Sequence, residues 1–241
     1  RATVIWPAPL AAFASHDNQI AGSGITTVLN ALGVGDYKGR DARRHALHAT
    51  FSILKKFRQS ALMRADHFIH LRCEISDPDV LDILTPYFDE DIVRLISVTD
   101  HTPGERQWRD LNVFRKYNAS FDWTQNDEVF DAFVTERQNI QRQHAPKNTA
   151  AIAEICQARG IPLASHDDTT EEHVKIAVAA GATLSEFPCT VDAARLAHRN
   201  NLKTIAGAPN VVRGGSMAGN ASALDFARQG LFDILSYDYM P

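Results

Sequence analysis

The side chains in this sequence that could bind a divalent ion or move a proton stand where short apolar runs finish. They are Glu74, Asp100 with His101, His166 with Asp167 and Asp168, Glu186, Asn210 and Asp238. Imidazole nitrogens and carboxylate oxygens together form a donor set suited to zinc, manganese or a related divalent ion. Such an ion acidifies water, and a nearby carboxylate can take the proton, which is the basis of metal-dependent hydrolysis. A single aspartate at a strand end is ordinarily a helix N-cap, and Asp77 and Asp168 fit that simpler role. Four separate runs ending in ligand-type residues favour convergence, although the pattern alone leaves both readings open.

Two further clusters have the chemistry of anion recognition. "GAPNVVRGGSMAGNASAL" (207–224) follows an apolar run and contains Asn210, Arg213 and the Gly214–Gly215–Ser216 backbone. Successive N–H groups in such a loop can cradle phosphate, but no Lys-Ser/Thr closes it as in a Walker loop, and a flexible turn is the competing reading. "DHTPGERQWRDL" (100–111) sets Arg106 and Arg109 beside Trp108, where guanidinium forks suit phosphate oxygens or a helix start simply faces solvent. Of the other histidines, His45, His48, His144 and His198 read as solvated, while His67 and His70 flank a strand and receive no role.

The elements that must position these residues alternate. Strand-like runs occupy 24–32, 67–74, 93–101, 161–168, 182–188, 202–210 and 231–239. Helical patterns lie between them: Leu47, Phe51 and Leu54 on one face, and Val129, Phe133 and Ile140 on another. Asp77-Pro78 reads as a helix start, Thr169 and Glu172 as a capping box, and Gly160, Gly181 and Gly230 as helix stops. Alternation of this kind implies a parallel sheet. Most runs are spaced by roughly 20–35 residues, the length of one unit of a (β/α)8 barrel. The exception is a polar, helical insertion at about 102–146 within what otherwise reads as one domain over 1–241. An open, doubly wound sheet is the alternative, but no G-x-G-x-x-G turn follows any strand.

Composition narrows the classes. With 44% hydrophobic and 22% charged residues the 241-residue chain is globular in type, and its net charge of −4 offers no basic field for nucleic acid. No apolar run approaches the roughly 20 residues of a membrane span. Three scattered cysteines, Cys73, Cys156 and Cys189, suggest a reducing compartment such as the cytoplasm. The chain opens at Arg1 without a leader-like segment, and is read as a fragment of a longer protein without a signal peptide.

"ASHDNQIAGSGITTVLNAL", "HLRCE", "DHTPGERQWRDL", "LASHDDTTEEHV", "EFPCTVDAAR", "GAPNVVRGGS" and "DILSYDYMP" resemble, in order and spacing, the amidohydrolase superfamily. The likeness is to its branch that releases pyrophosphate from a ribose triphosphate bearing methylphosphonate, in bacterial carbon–phosphorus lyase metabolism. The resemblance implies a (β/α)8 barrel lacking, in this chain, its first strand and the small β-domain. It implies one or two divalent ions, zinc foremost, on Glu74, His101, His166 and Asp238, with Asp238 as general base. Arg106, Asn210, Arg213, Gly214, Gly215 and Ser216 would then face phosphates, while Asp100, Asp167 and Glu186 support the ligands from behind. The expected partner is a small phosphorylated sugar, with neither nucleic acid nor membrane; a homodimer is left open. The family's first-strand His-x-Asp pair has no counterpart here, and Met217 stands where the family usually has His. Other implied readings are an amidohydrolase for a different phosphorylated or carbonyl substrate, and a non-catalytic metal-binding barrel.

Overall fold

In the computed structural model, residues 9–36, 42–213, 215 and 219–237 are described, with backbone alone for 42–44. Gly214, Ser216, Met217 and Asp238 lie outside the described residues. Seven strands, β1 (Thr27–Val34), β2 (Asp66–Glu74), β3 (Val93–Thr99), β4 (Leu163–His166), β5 (Leu184–Glu186), β6 (Lys203–Gly207) and β7 (Ile234–Ser236), pair in sequential order. All six pairings are parallel. Because every crossover steps the same way and crossovers are right-handed, the connecting helices fall on one face and the sheet curls into a half-barrel. A doubly wound sheet needs its strand order to reverse, and here it does not.

The helices are α1 (Pro9–Gly22), α2 (Ala42–Arg58), α3 (Val80–Leu84), α4 (Leu111–Tyr117), α5 (Asp127–Arg159), α6 (Glu171–Ala179), α7 (Val191–Arg199), α8 (Ala208–Arg213) and α9 (Ala223–Gln229). Leu47, Phe51 and Leu54 of α2 pack with Ile69, Leu71 and Cys73 of β2 and with Ile96 and Val98 of β3, as their spacing predicts. These strand residues alternate with His70, Arg72, Glu74, Ser97 and Thr99, so the opposite face of the sheet is polar.

Three local expectations are corrected. In the first turns of α5 the buried residues are Phe130 and Val134, while Val129 is 50% exposed. The reason is an aromatic cluster peculiar to the segment between β3 and β4, in which Trp108, Phe114 and Phe130 pack with a stacked Trp123–Phe133 pair. Asp77 caps no helix: its Oδ1 accepts from the Asp79 amide at 2.9 Å and its Oδ2 from the Asp36 amide at 2.8 Å. That carboxylate lies against Gly35 (φ +80°), where a Cβ would stand 2.9 Å from Oδ2. Helix α6 is capped by Thr170, not by a Thr169–Glu172 box, and the reciprocal box forms instead between Ser222 and Asp225 of α9. Gly160 and Gly230 do end α5 and α9 in the left-handed conformation.

His67 and Asp17, each 1% exposed, form a buried pair at the opposite end of the sheet from the ligand-type residues. Asp17 accepts from the Ala65 amide at 3.0 Å, from the Arg64 amide at 3.0 Å and from His67 Nε2 at 3.1 Å. Asn30 Nδ2 donates to His67 Nδ1 at 3.1 Å, which makes the ring neutral with its proton on Nε2. Burial lowers the His67 pKa despite the pull of Asp17. Asp17 is also lowered: burial opposes this, but the Ala65, His67 and Arg64 donors outweigh it. With both groups depressed, the unfolded chain binds more protons, so their contribution is present above the unfolded pKa values and lost as pH falls. Urea-unfolding free energy is expected to decline as pH drops from about 7 toward 5, and His67→Gln is expected to flatten that part of the profile.

Candidate metal centre

The polar face of the half-barrel converges at the carboxyl ends of β2 to β5. His166 ends β4 in register with Glu186 of β5. Its Nδ1 donates to Glu186 Oε2 at 2.7 Å, which leaves Nε2 as the ring's acceptor. Glu186 Oε2 also accepts from Ser97 Oγ at 2.9 Å. Since Ser97 has a single proton and gives it to Glu186, His70 Nε2 must donate to Ser97 Oγ in their short contact. Burial pushes the His70 pKa down to about 4, so this ring is neutral. Burial opposes ionisation of Glu186, but the facing His166, His70 and Arg72 prevail and hold its carboxyl far below the ordinary range. The result is an anionic anchor beneath His166.

His101, just beyond β3, is oriented from the other side. Its Nδ1 donates to Glu74 Oε2 at 2.6 Å, and its amide donates to Glu74 Oε1 at 3.1 Å. Burial draws the His101 pKa down, yet the Glu74 charge and hydrogen bond, followed by Asp167, raise it overall. The His101 and His166 rings lie 6.0 Å apart, centroid to centroid.

Between them sits Asp167. Donor atoms of His101, His166 and Asp167 lie within 4.8 Å of one another, a group that could hold a metal ion. Asp167 Oδ2 is buried, accepts no hydrogen bond, and stands 3.4 Å from His166 Nε2. Leaving a carboxylate oxygen unsatisfied in the interior is costly, and a cation is the natural partner for it. The residue adopts φ +55°, and Phe187 after β5 adopts φ +53°. Backbone held in this sparsely populated region costs about 1–3 kcal/mol per residue and recurs at functional sites.

The remaining candidates fall into place around this centre. Glu74, expected as a ligand, accepts from His101 and Ser76, with its Oε2 taking the His101 Nδ1 proton alone. Asp167, expected behind the ligands, is in the donor group itself. Asp100 is buried, accepting from the Thr102 amide at 3.0 Å and from Gln141 Nε2 at 2.9 Å. Asp168 does not cap α6: it is fully buried and accepts from Arg106 Nη1 at 2.7 Å. Arg106, expected to face phosphate, is 7% exposed and also donates to the His166 carbonyl at 2.7 Å. Part of the expected glycine-rich loop is helical, since Ala208–Arg213 forms α8, with Arg213 exposed on it. Asn210 accepts at its carbonyl from the Gly215 amide at 2.9 Å.

Sequence reasoning missed Arg72 and His70. Arg72 Nη2 donates to His166 Nε2 at 2.5 Å, and with Glu74, Thr99 and His101 it lines a cavity of about 340 Å³ beside α2. The signal was available in "HFIHLRCE": alternate positions His70, Arg72 and Glu74 share one face of a strand whose other face is Ile69, Leu71 and Cys73.

A sequentially ordered parallel half-barrel, with imidazoles and carboxylates gathered at its carboxyl rim, defines this chain as an α/β protein with a candidate metal centre in the position typical of barrel enzymes. Over all 241 residues the chain is 36% identical to the α-D-ribose 1-methylphosphonate 5-triphosphate diphosphatase of Escherichia coli (strain K12). The chain spans 63% of the length of that relative. No protein-family model matches the chain. Among the described residues, no helix is long and apolar enough to cross a membrane.

Proposed function

We propose that this chain is the barrel portion of a metal-dependent amidohydrolase that releases pyrophosphate from α-D-ribose 1-methylphosphonate 5-triphosphate during phosphonate catabolism. The observation that carries the reading is the His101–His166–Asp167 donor group, with His166 and Asp167 buried, in a chain similar along its whole length to a diphosphatase. His101, His166 and Asp167 would hold a divalent ion, zinc first and manganese next, with Asp238 completing the set from just beyond β7. Such an ion supplies Lewis acidity and acidifies water at neutral pH. Glu186 and Glu74 keep the two imidazoles oriented and in the Nδ1–H tautomer. Asp238 accepts the proton of the attacking water, and Arg213 with the 214–216 backbone binds the leaving phosphates, whose charge needs fixed donors. Residues 1–241 form one domain with the segment at about 102–146 inserted, and three unbridged cysteines support a cytoplasmic setting.

The test is pyrophosphate release by the full-length protein loaded with zinc or manganese. Turnover of this triphosphate well above that of other phosphorylated sugars is expected, and Asp238→Asn is expected to reduce kcat by about 10²–10⁴-fold. Undiminished turnover in that variant would remove Asp238 from the mechanism.

A further inference from the structure

Arg72 is the cation that meets the metal-binding edge of the His166 ring. Its Nη2 donates to His166 Nε2 at 2.5 Å, while its Nε is buried without a hydrogen-bond partner. A guanidinium has only donors, so the contact requires a lone pair on Nε2. Glu186 supplies that lone pair by taking the proton of Nδ1. The same lone pair is the atom His166 offers to a metal. Arg72 and a metal ion therefore compete for one orbital, and their like charges add to the exclusion.

Arg72 is also placed to gain from leaving. It lines the cavity of about 340 Å³ bordered by Glu74, Thr99 and His101, a wall that is polar on this side and apolar along Leu32 and Leu47. Planar guanidinium groups bind phosphate oxygens through paired N–H donors. We propose that Arg72 is a displaceable guard. It caps the His166 lone pair beside the Asp167 and Glu186 carboxylates, and a metal ion taking that lone pair would free it to hold a phosphate of the substrate. This rests on the metal and phosphate reading above and extends it: metal and phosphate binding should favour each other because both require Arg72 to release His166.

The prediction is read without turnover. In calorimetric titration of metal-free full-length protein with zinc, Arg72→Met should bind zinc on the order of tenfold more tightly than wild type, because the competing cation is gone. Pyrophosphate should tighten zinc binding in wild type, and zinc-loaded Arg72→Met should bind pyrophosphate on the order of tenfold more weakly. Arg72→Lys, which keeps the charge without the fork, controls for folding and should leave zinc affinity near the wild-type value. Equal or weaker zinc binding by Arg72→Met overturns the guard, and so does unchanged pyrophosphate affinity. Failure of wild type and variants alike to bind zinc overturns the metal reading and this proposal with it. The expected titrations without hydrolysis of the ribose triphosphate would overturn the assigned reaction alone.

Discussion

Arg106→Met is expected to cost about 3–5 kcal/mol of folding stability, lowering Tm by on the order of 10 °C. The substitution removes the cation paired with Asp168, a carboxylate with no exposed surface, and leaves it held by the Ser165 and Ser185 hydroxyls. Hydroxyls satisfy lone pairs but do not neutralise a charge in a medium that disfavours it. Arg106 further sits at φ +45°, a conformation that a non-glycine residue keeps only when its surroundings impose it. Its Nη1 bonds to Asp168 and to the His166 carbonyl provide that constraint. Adding Asp168→Asn to Arg106→Met should recover much of the loss, since no buried charge then lacks a partner. A double-mutant cycle by denaturant unfolding measures the coupling; a single-variant cost below about 0.5 kcal/mol would mean that the pair is dispensable.

The second large effect concerns metal affinity. Glu186→Ala is expected to weaken zinc binding about 10–100-fold, the range seen when an oriented imidazole loses its carboxylate support. Two things change in that variant. His166 loses the acceptor that keeps its proton on Nδ1, and Ser97 loses the acceptor that fixes its hydroxyl toward β5 and leaves its oxygen for His70. Glu186→Gln separates them: an amide oxygen can still accept from Nδ1 but carries no charge, so its loss should be smaller. Titration of both variants with zinc checks the order, and equal affinities in all three proteins would show that His166 needs no support.

Much of this architecture is legible locally. Leu47, Phe51 and Leu54 fall on one helical face, Gly160 and Gly230 end helices, and runs at regular intervals report a parallel sheet, because each signal depends on residues within a turn or a strand of one another. The misreadings have equally local causes. Asp77, Asp168 and Thr169 carry side chains that could cap a helix, and composition does not reveal that the Asp36 amide, Arg106 or the Asp167 carbonyl claims them first. Val129 fits a 3.6-residue period as well as Phe130 does; the aromatic cluster of Trp108, Phe114 and Trp123 selects the second register.

What the sequence by itself determined is the inventory and its rough address: imidazoles and carboxylates at the ends of successive parallel strands, and hence at one rim. Only the tertiary structure decided which of them meet. Strand register sets Glu186 beside His166, the pleat sends Arg72 and Glu74 to the polar face, and the left-handed backbone at Asp167 breaks strand alternation and brings its carboxylate between two rings. These choices belong to pairs far apart in chain order, such as Arg72 with His166, 94 positions apart. Propensity acts over a few residues, whereas the identity of a ligand is settled by which buried partner satisfies each lone pair.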